Sequence, residues 1–267
     1  MLTVEELSFG YTPDKENLSD INFTIYKGEM VSIVGKNGAG KSTLAKLLCG
    51  FVTQNHGSIT LKGRNLADDT IKERAGYIGY VMQNPNQMIS KPMIYDEVAM
   101  SLRLKGMTEE QVQEKVHEAL KICGLYPFRN WPVSALSYGQ KKRVTIASIL
   151  VQEPEILILD EPTAGQDFRH YTEIMEFLKE LNERGITVLM ITHDMHLMLE
   201  YTERSLVFSE GHMIADTTPA KLFSDPQLLR RASLKETSLF ELAKRCGLDS
   251  ESYIEKFIRY DRQVRNK

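Results

Sequence analysis

Residues 30–44 read Met30-Val31-Ser32-Ile33-Val34-Gly35-Lys36-Asn37-Gly38-Ala39-Gly40-Lys41-Ser42-Thr43-Leu44. The apolar run at 30–34 suits a buried strand, and Leu44, Leu47, Leu48 and Phe51 recur at helical spacing. Between them, residues 35–43 fill every position of a phosphate-binding loop: Gly35, Lys36, Asn37, Gly38, Ala39, Gly40, Lys41, Ser42 and Thr43. Glycines let successive backbone N–H groups converge on one concavity, and the following helix adds its positive end. Such a loop sets Lys41 to reach the β- and γ-phosphates and the Ser42 hydroxyl to ligate Mg²⁺. The competing reading is a fortuitous glycine-rich turn. The strand before and the helix after favour a bound nucleoside triphosphate.

Working outward, the composition is that of a folded domain with ample core: 267 residues, 42% hydrophobic and 26% charged. A net charge of −3 provides no general basic field for nucleic acid. No apolar run approaches the roughly 18–20 residues a bilayer requires, and the N-terminus has no signal-peptide pattern. A membrane role is therefore expected through a partner. Cys49, Cys123 and Cys246 are far apart and read as small apolar fillers. The six histidines form no paired metal motif.

The first thirty residues alternate as antiparallel strands do, with Leu2, Val4 and Leu7, then Ile21, Phe23 and Ile25, around a turn-rich Gly10–Asp14. Ser58–Leu61 alternates again and ends in a Lys62-Gly63 turn. Thr108 is set to cap a helix carrying Val112, Val116, Ala119, Leu120 and Cys123 on one face, stopped by Gly124. Ile156–Leu159 and Thr187–Ile191 are continuous apolar runs, as in parallel strands buried on both faces. Each ends in polar residues, Asp160-Glu161 and Thr192-His193-Asp194, at the strand ends where ligands sit in open parallel sheets. From Pro219 the character changes. Ser238-Leu239-Phe240-Glu241 has the form of a capping box, Gly247 can end that helix, and Ile254, Phe257 and Ile258 share the face of another. This tail is too short for its own core, so it packs on the main domain or on another chain.

Leu159-Asp160-Glu161-Pro162 has the form of a Walker B element, with Asp160 able to hold Mg²⁺ and Glu161 able to polarise water. An acidic helix cap would give the same residues. The upstream phosphate loop favours the catalytic reading, because Mg²⁺ needs a second protein anchor. Between the two motifs stands Leu136-Ser137-Tyr138-Gly139-Gln140-Lys141-Lys142-Arg143. Here the chain resembles the ABC ATPases, whose signature reads Leu-Ser-Gly-Gly-Gln. Six motifs follow in the family's order over about residues 2–220. Gln83 matches the glutamine loop, Asp167 the D-loop, His193 the switch histidine and Tyr11 the aromatic that stacks on adenine. Each also has a plainer reading: Tyr11 as a packed strand end, Gln83 as a turn residue, His193 as a cap.

The resemblance implies an α/β P-loop NTPase with a RecA-like core and an N-terminal antiparallel β subdomain. A helical subdomain at about 90–150 is inserted in a domain spanning 1–218, and 219–267 form a helical extension that could serve dimerisation. It implies ATP and Mg²⁺ as cofactors, with Ser42, Gln83 and Asp160 as metal ligands and Lys41, Gln83, Glu161 and His193 as catalytic groups. Ser137, Gly139 and Gln140 of one subunit are expected to close on ATP held by a second ATPase. Tyr138 departs from the pattern: at the usual first glycine, a tyrosine restricts φ and crowds a closed dimer. The texture of Gln83–Gln87, Asp96–Ala99, Pro162–Gly165 and Thr218–Phe223 is most similar to the ATP-binding proteins of energy-coupling factor transporters, which take up vitamins and transition metals. Those partner a transmembrane coupling protein and a membrane-embedded substrate-binding protein. Met88, Ile89, Met93 and Ile94 are expected to offer that partner an adaptable apolar surface or to pack the subdomain. A conventional ABC importer, or a soluble ABC ATPase without a membrane partner, are the alternatives. Single-domain length, the absence of long heptad insertions and the near-neutral charge weigh against the soluble class.

Overall fold

The computed structural model describes residues 1–265. In chain order the strands are β1 (Leu2–Phe9), β2 (Leu18–Ile25), β3 (Met30–Gly35), β4 (His56–Leu61), β5 (Arg64–Asn65), β6 (Ile78–Val81), β7 (Ile156–Asp160), β8 (Thr187–Ile191), β9 (Arg204–Ser209) and β10 (His212–Thr217). The helices are α1 (Lys41–Leu48), α2 (Ile71–Arg74), α3 (Ile94–Leu104), α4 (Glu109–Ile122), α5 (Tyr138–Leu150), α6 (Phe168–Glu183), α7 (Met195–Tyr201), α8 (Pro219–Ser224), α9 (Pro226–Ala232), α10 (Ser238–Arg245) and α11 (Ser250–Arg265). They fall into two compact units: residues 1–48, 52–68 and 189–267 in the first, and 49–51 and 69–188 in the second.

In the first unit β1 pairs antiparallel with β2 and β4. Its buried residues run Leu2, Val4, Leu7, Phe9, which breaks the period of two after Val4. The register shifts there, and Glu6 has φ +48, so a bulge absorbs one residue and returns Leu7 to the core face. Lys62 and Gly63 both have positive φ and turn the chain from β4 into β5. Every residue of β3 is buried, and it runs parallel to β9. The end of β8 joins this unit where the Thr192 N–H donates to the Ile33 carbonyl at 3.2 Å.

The tail belongs to this unit. Leu222, Phe223, Leu229, Phe240 and Ile254 share one apolar cluster with Val34, Met198 and Val207. At about 1.5–3 kcal/mol per fully buried large side chain, before entropy, that holds three short helices and the longer α11 in place. The tail thus packs on its own domain, although Phe257 is partly exposed and only Ile254 of the expected trio is fully buried. The cap of α10 is Thr237, not Ser238: its hydroxyl accepts from the Phe240 N–H at 3.2 Å. Glu241, one place too late for a capping box, instead pairs with Arg245 one turn on.

In the second unit β6 and β7 pair parallel, Ile78 opposite Ile156 and Val81 opposite Leu159. The start of β8 is held here by the Thr187 N–H on the Glu155 carbonyl at 3.0 Å. Helix α4 has the expected Thr108 cap, closed into a box by Gln111, and buries Val112, Val116, Ala119 and Leu120. Phe51 is not on α1, which ends at Leu48. Gly50, at φ +75, turns the chain, and Phe51 lies edge-on to Tyr80. Cys49 and Cys123 are buried, and burial pushes each thiol up to about 12, as fits inert fillers. Cys246 is exposed and fills nothing.

Candidate functional site

In the first unit the phosphate loop leaves the buried end of β3 and closes into α1. Gly35, at φ +144, lies so close to β9 that a Cβ would stand 2.1 Å from the Phe208 carbonyl oxygen. Gly40, at φ +103, passes the Leu18 side chain, where a Cβ would meet Cδ2 at 2.4 Å. Only glycine fits either place. Asn37 and Gly38 form the exposed crest, Ala39 is buried, and Thr43 is half-buried in the first turn of α1. The Lys41 ammonium is drawn inward, donating to the Gly35 carbonyl at 2.7 Å and the Lys36 carbonyl at 3.0 Å. It therefore sits beneath the loop. Lys36 turns outward to Glu210 at 2.9 Å, while Ser42 is exposed at the start of the helix.

Two more expected residues belong to this unit. The Tyr11 ring is exposed, braced edge-on by Phe9, with Lys46 of α1 5.9 Å from its centroid. That brings an accessible aromatic face near the helix that follows the loop. His193 is exposed at the tip of β8, two residues beyond its end. Asp194 beside it caps α7, accepting from the N–H groups of His196 at 2.9 Å and Leu197 at 3.2 Å. The acidic residue at this tip thus has a structural task of its own.

In the second unit the parallel register that sets Val81 opposite Leu159 brings Gln83 to the same strand ends as Asp160 and Glu161. The Tyr80 hydroxyl donates to Asp160 Oδ2 at 2.9 Å, fixing the carboxylate; burial and that carboxylate raise the phenol above its ordinary range. Glu161 has φ +46, a left-handed conformation costly for a side chain of this kind, and its carbonyl accepts from Ala164 N–H at 3.2 Å. Such strain gathers where function dictates where a side chain goes. Asp167 caps α6, its carboxylate accepting from the His170 N–H at 3.0 Å.

Ser137 caps α5 in a reciprocal box: its Oγ accepts from the Gln140 N–H at 3.3 Å, and Gln140 Oε1 accepts from the Ser137 N–H at 3.0 Å. Tyr138 is the first helical residue and has no positive φ, so the strain expected from losing a glycine does not arise. Its hydroxyl instead donates to the Gln83 carbonyl at 3.2 Å. Gly139 likewise needs no special φ, and a Cβ there would meet nothing nearer than His170 at 3.7 Å. Among the described residues of its own unit, nothing requires glycine at 139. Lys142, one turn on and 1% exposed, donates to the carbonyls of Gln83 at 2.7 Å and Met82 at 3.0 Å. Burial lowers its ammonium to about 8, opposed by the charges of Asp160 and Glu161. Where the glutamine loop returns, buried Glu97 accepts from the N–H groups of Ser90 at 2.8 Å and Lys91 at 2.7 Å. Ile94 is fully buried and so leaves the expected apolar surface; Met88, Ile89 and Met93 are half-buried.

The donor chemistry fits the expected ligands. A glycine cradle with a buried ammonium suits phosphate oxygens, and a hydroxyl, an amide and a carboxylate are hard oxygen donors of the kind Mg²⁺ takes. A family profile described as ABC transporter matches residues 18–164, more than half of the chain. The chain belongs to the ABC transporter ATP-binding family. Among relatives of this ABC ATPase, a Clostridium perfringens protein described, by inference, as an ABC transporter ATP-binding protein is 59% identical over 267 residues, covering 100% of this chain and 47% of its own. One from Enterococcus faecalis is 61% identical over 267 residues, covering 99% and 47%. The chain thus spans about half the length of the curated relatives it matches. The structure of cbiO1 from Clostridium perfringens, part of the ABC transporter complex cbiONQ, is 34% identical with a TM-score of 0.79, covering 91% of this chain and 98% of that one. The ATP-binding cassette MJ0796, solved as a dimer in a post-hydrolysis state with ADP and Pi, is 29% identical with a TM-score of 0.71, covering 82% and 99%. The ABC ATPase fold is therefore that of a P-loop NTPase with antiparallel and parallel sheets and helical parts.

Sequence reading missed Tyr80, Glu97 and Lys142. Tyr80 lies one residue before the end of β6 and shows no local pattern. Glu97 stands in the Asp96–Ala99 run, where nothing local marks its carboxylate as buried. Lys142 is a lysine on the buried face of an Ala/Ile/Leu-rich helix, and that placement was a signal available in the sequence.

Proposed function

We propose that this chain binds and hydrolyses ATP as the motor subunit of an ABC-type transporter of the energy-coupling factor kind, driving uptake of a micronutrient, a vitamin or a transition-metal ion, across the cytoplasmic membrane. The observation that carries the reading is the likeness to cbiO1, a component of an ABC transporter complex, over 91% of this chain. Among the described residues no helix is long and apolar enough to cross a membrane. A transmembrane coupling protein and a membrane-embedded substrate-binding protein are the partners proposed, with this chain at the cytoplasmic face.

In this reading Gly35–Thr43 hold the phosphates by backbone N–H groups, and Lys41 balances their charge. Tyr11 offers its accessible face to the adenine. Ser42, Gln83 and Asp160 would hold Mg²⁺, which neutralises charge on the phosphate oxygens when bound. Glu161 orients the attacking water and draws its proton, and the His193 imidazole hydrogen-bonds the γ-phosphate or that water. Ser137, Gly139 and Gln140 meet the nucleotide of a second ATPase subunit, identical or paralogous. Among the described residues, the lack of any reason within its own unit for glycine at 139 supports close approach from outside.

Purifying the assembly from membranes in detergent and identifying its subunits by mass spectrometry tests the proposal. Recovery of integral membrane proteins, with ATP hydrolysis by the complex, is the expected result. Recovery of ribosomes or nucleic acid without a membrane protein would overturn it.

A further inference from the structure

We propose that Tyr138 and Lys142 latch the glutamine loop to the first two turns of the signature helix, so that Gln83 moves with the signature rather than independently of it. The Gln83 carbonyl takes two donors from α5, the Tyr138 hydroxyl at 3.2 Å and the Lys142 ammonium at 2.7 Å, and Lys142 takes the Met82 carbonyl as well at 3.0 Å. Burying an ammonium is costly unless its donors are used, and these carbonyls take two of its three. Glycine at 138, as the family signature usually has, offers no such donor. The substitution therefore exchanges a bare approach surface for a tie to a loop 55 residues away. At its return, the same loop is fixed by the Glu97 carboxylate on the Ser90 and Lys91 N–H groups. Asn84 to Ile89, a short turn with Pro85 buried, thus run between two anchors, one on α3 and one on α5. The catalytic consequence, that displacement of the signature shifts Gln83, rests on the ATPase reading above; the latch itself does not.

The test is hydrogen exchange across residues 82–91 in the nucleotide-free full chain, comparing Tyr138→Phe, Lys142→Met and Lys142→Arg. Losing one neutral hydrogen bond should quicken loop exchange about fivefold in Tyr138→Phe, and losing the charged donor about tenfold or more in Lys142→Met. Lys142→Arg should stay near wild type, and exchange in α4 should not change. In steady-state hydrolysis, Tyr138→Phe should lower kcat while leaving KM for ATP unchanged, because the phosphate loop is untouched. Unaltered loop exchange in Tyr138→Phe and Lys142→Met overturns the latch. Should Lys142→Met fail to fold, Tyr138→Phe decides alone, since its half-exposed ring loses only an oxygen. If the wild-type chain binds no ATP while loop exchange responds as stated, the ATPase reading falls and the latch stands.

Discussion

Glu161 combines a proposed chemical role with a costly backbone, and two substitutions separate them. Its φ of +46 lies in the left-handed region, which costs an L residue roughly 1–2 kcal/mol. Glycine escapes that cost but gives up roughly 0.5–1 kcal/mol to the freedom of the unfolded chain. Alanine keeps the strain. Both variants lack the carboxylate, so every contact that side chain makes cancels in the comparison. Glu161→Gly should therefore be more stable than Glu161→Ala by about 0.5–1 kcal/mol, or about 1–3 °C in Tm for a chain of this length. Differential scanning calorimetry of the full chain reads this, and phosphate release measured alongside reads the chemistry. Both variants should lose at least about a hundredfold in turnover, and Glu161→Gln should lose turnover while keeping ATP binding. An alanine variant that melts at or above the glycine variant would refute the strain argument. Near-normal phosphate release by any of the three would refute the role.

Gly139→Ala should leave Tm unchanged or raise it slightly, since alanine favours a helix by about 1 kcal/mol and meets nothing closer than 3.7 Å, yet it should weaken ATP-driven pairing of subunits, read by light scattering. Lys41→Ala removes a buried cation and should weaken ATP binding at least about tenfold, since hydrogen bonds to charged groups are worth about 1.5–3 kcal/mol; unchanged affinity in calorimetry would count against its role. Thiol labelling of the native protein at pH 8 should modify Cys246 alone. Cys49 and Cys123, pushed up to about 12 by burial, carry only about one thiolate in ten thousand, so prompt modification of either would contradict the packing described.

Contiguous motifs were legible because each is written in a few neighbouring residues. The phosphate loop, the apolar runs of β3, β7 and β8 and the Thr108 cap need only local chemistry, and each appears where the pattern predicts it. The misses have one cause. Thr237 and Ser238 both suit a cap, and the choice depends on how α10 meets the core. Ile94 reads as surface or core alike until its helix has neighbours. The left-handed Glu161 follows from a turn closed by Ala164, not from its residue type. The bond from Tyr138 to Gln83 joins positions 55 apart, which no window along the chain contains. The tyrosine was visible as a departure from the family, but the partner that gives it a purpose was not.

The helices after residue 218 rest on Met198 and Leu199 of α7, which begins two residues past His193. Deleting those helices would leave this apolar flank wetted and take away part of what α7 packs against, although Val34 and Val207 would still back Met198. A truncation chosen to test self-association would therefore loosen the histidine's scaffold as well, and any loss of hydrolysis it caused would have two sources. A point change at Tyr260, on the exposed side of α11, would probe association while leaving that scaffold undisturbed, whereas Phe257 lines a cavity with Met195 and Leu199 of α7.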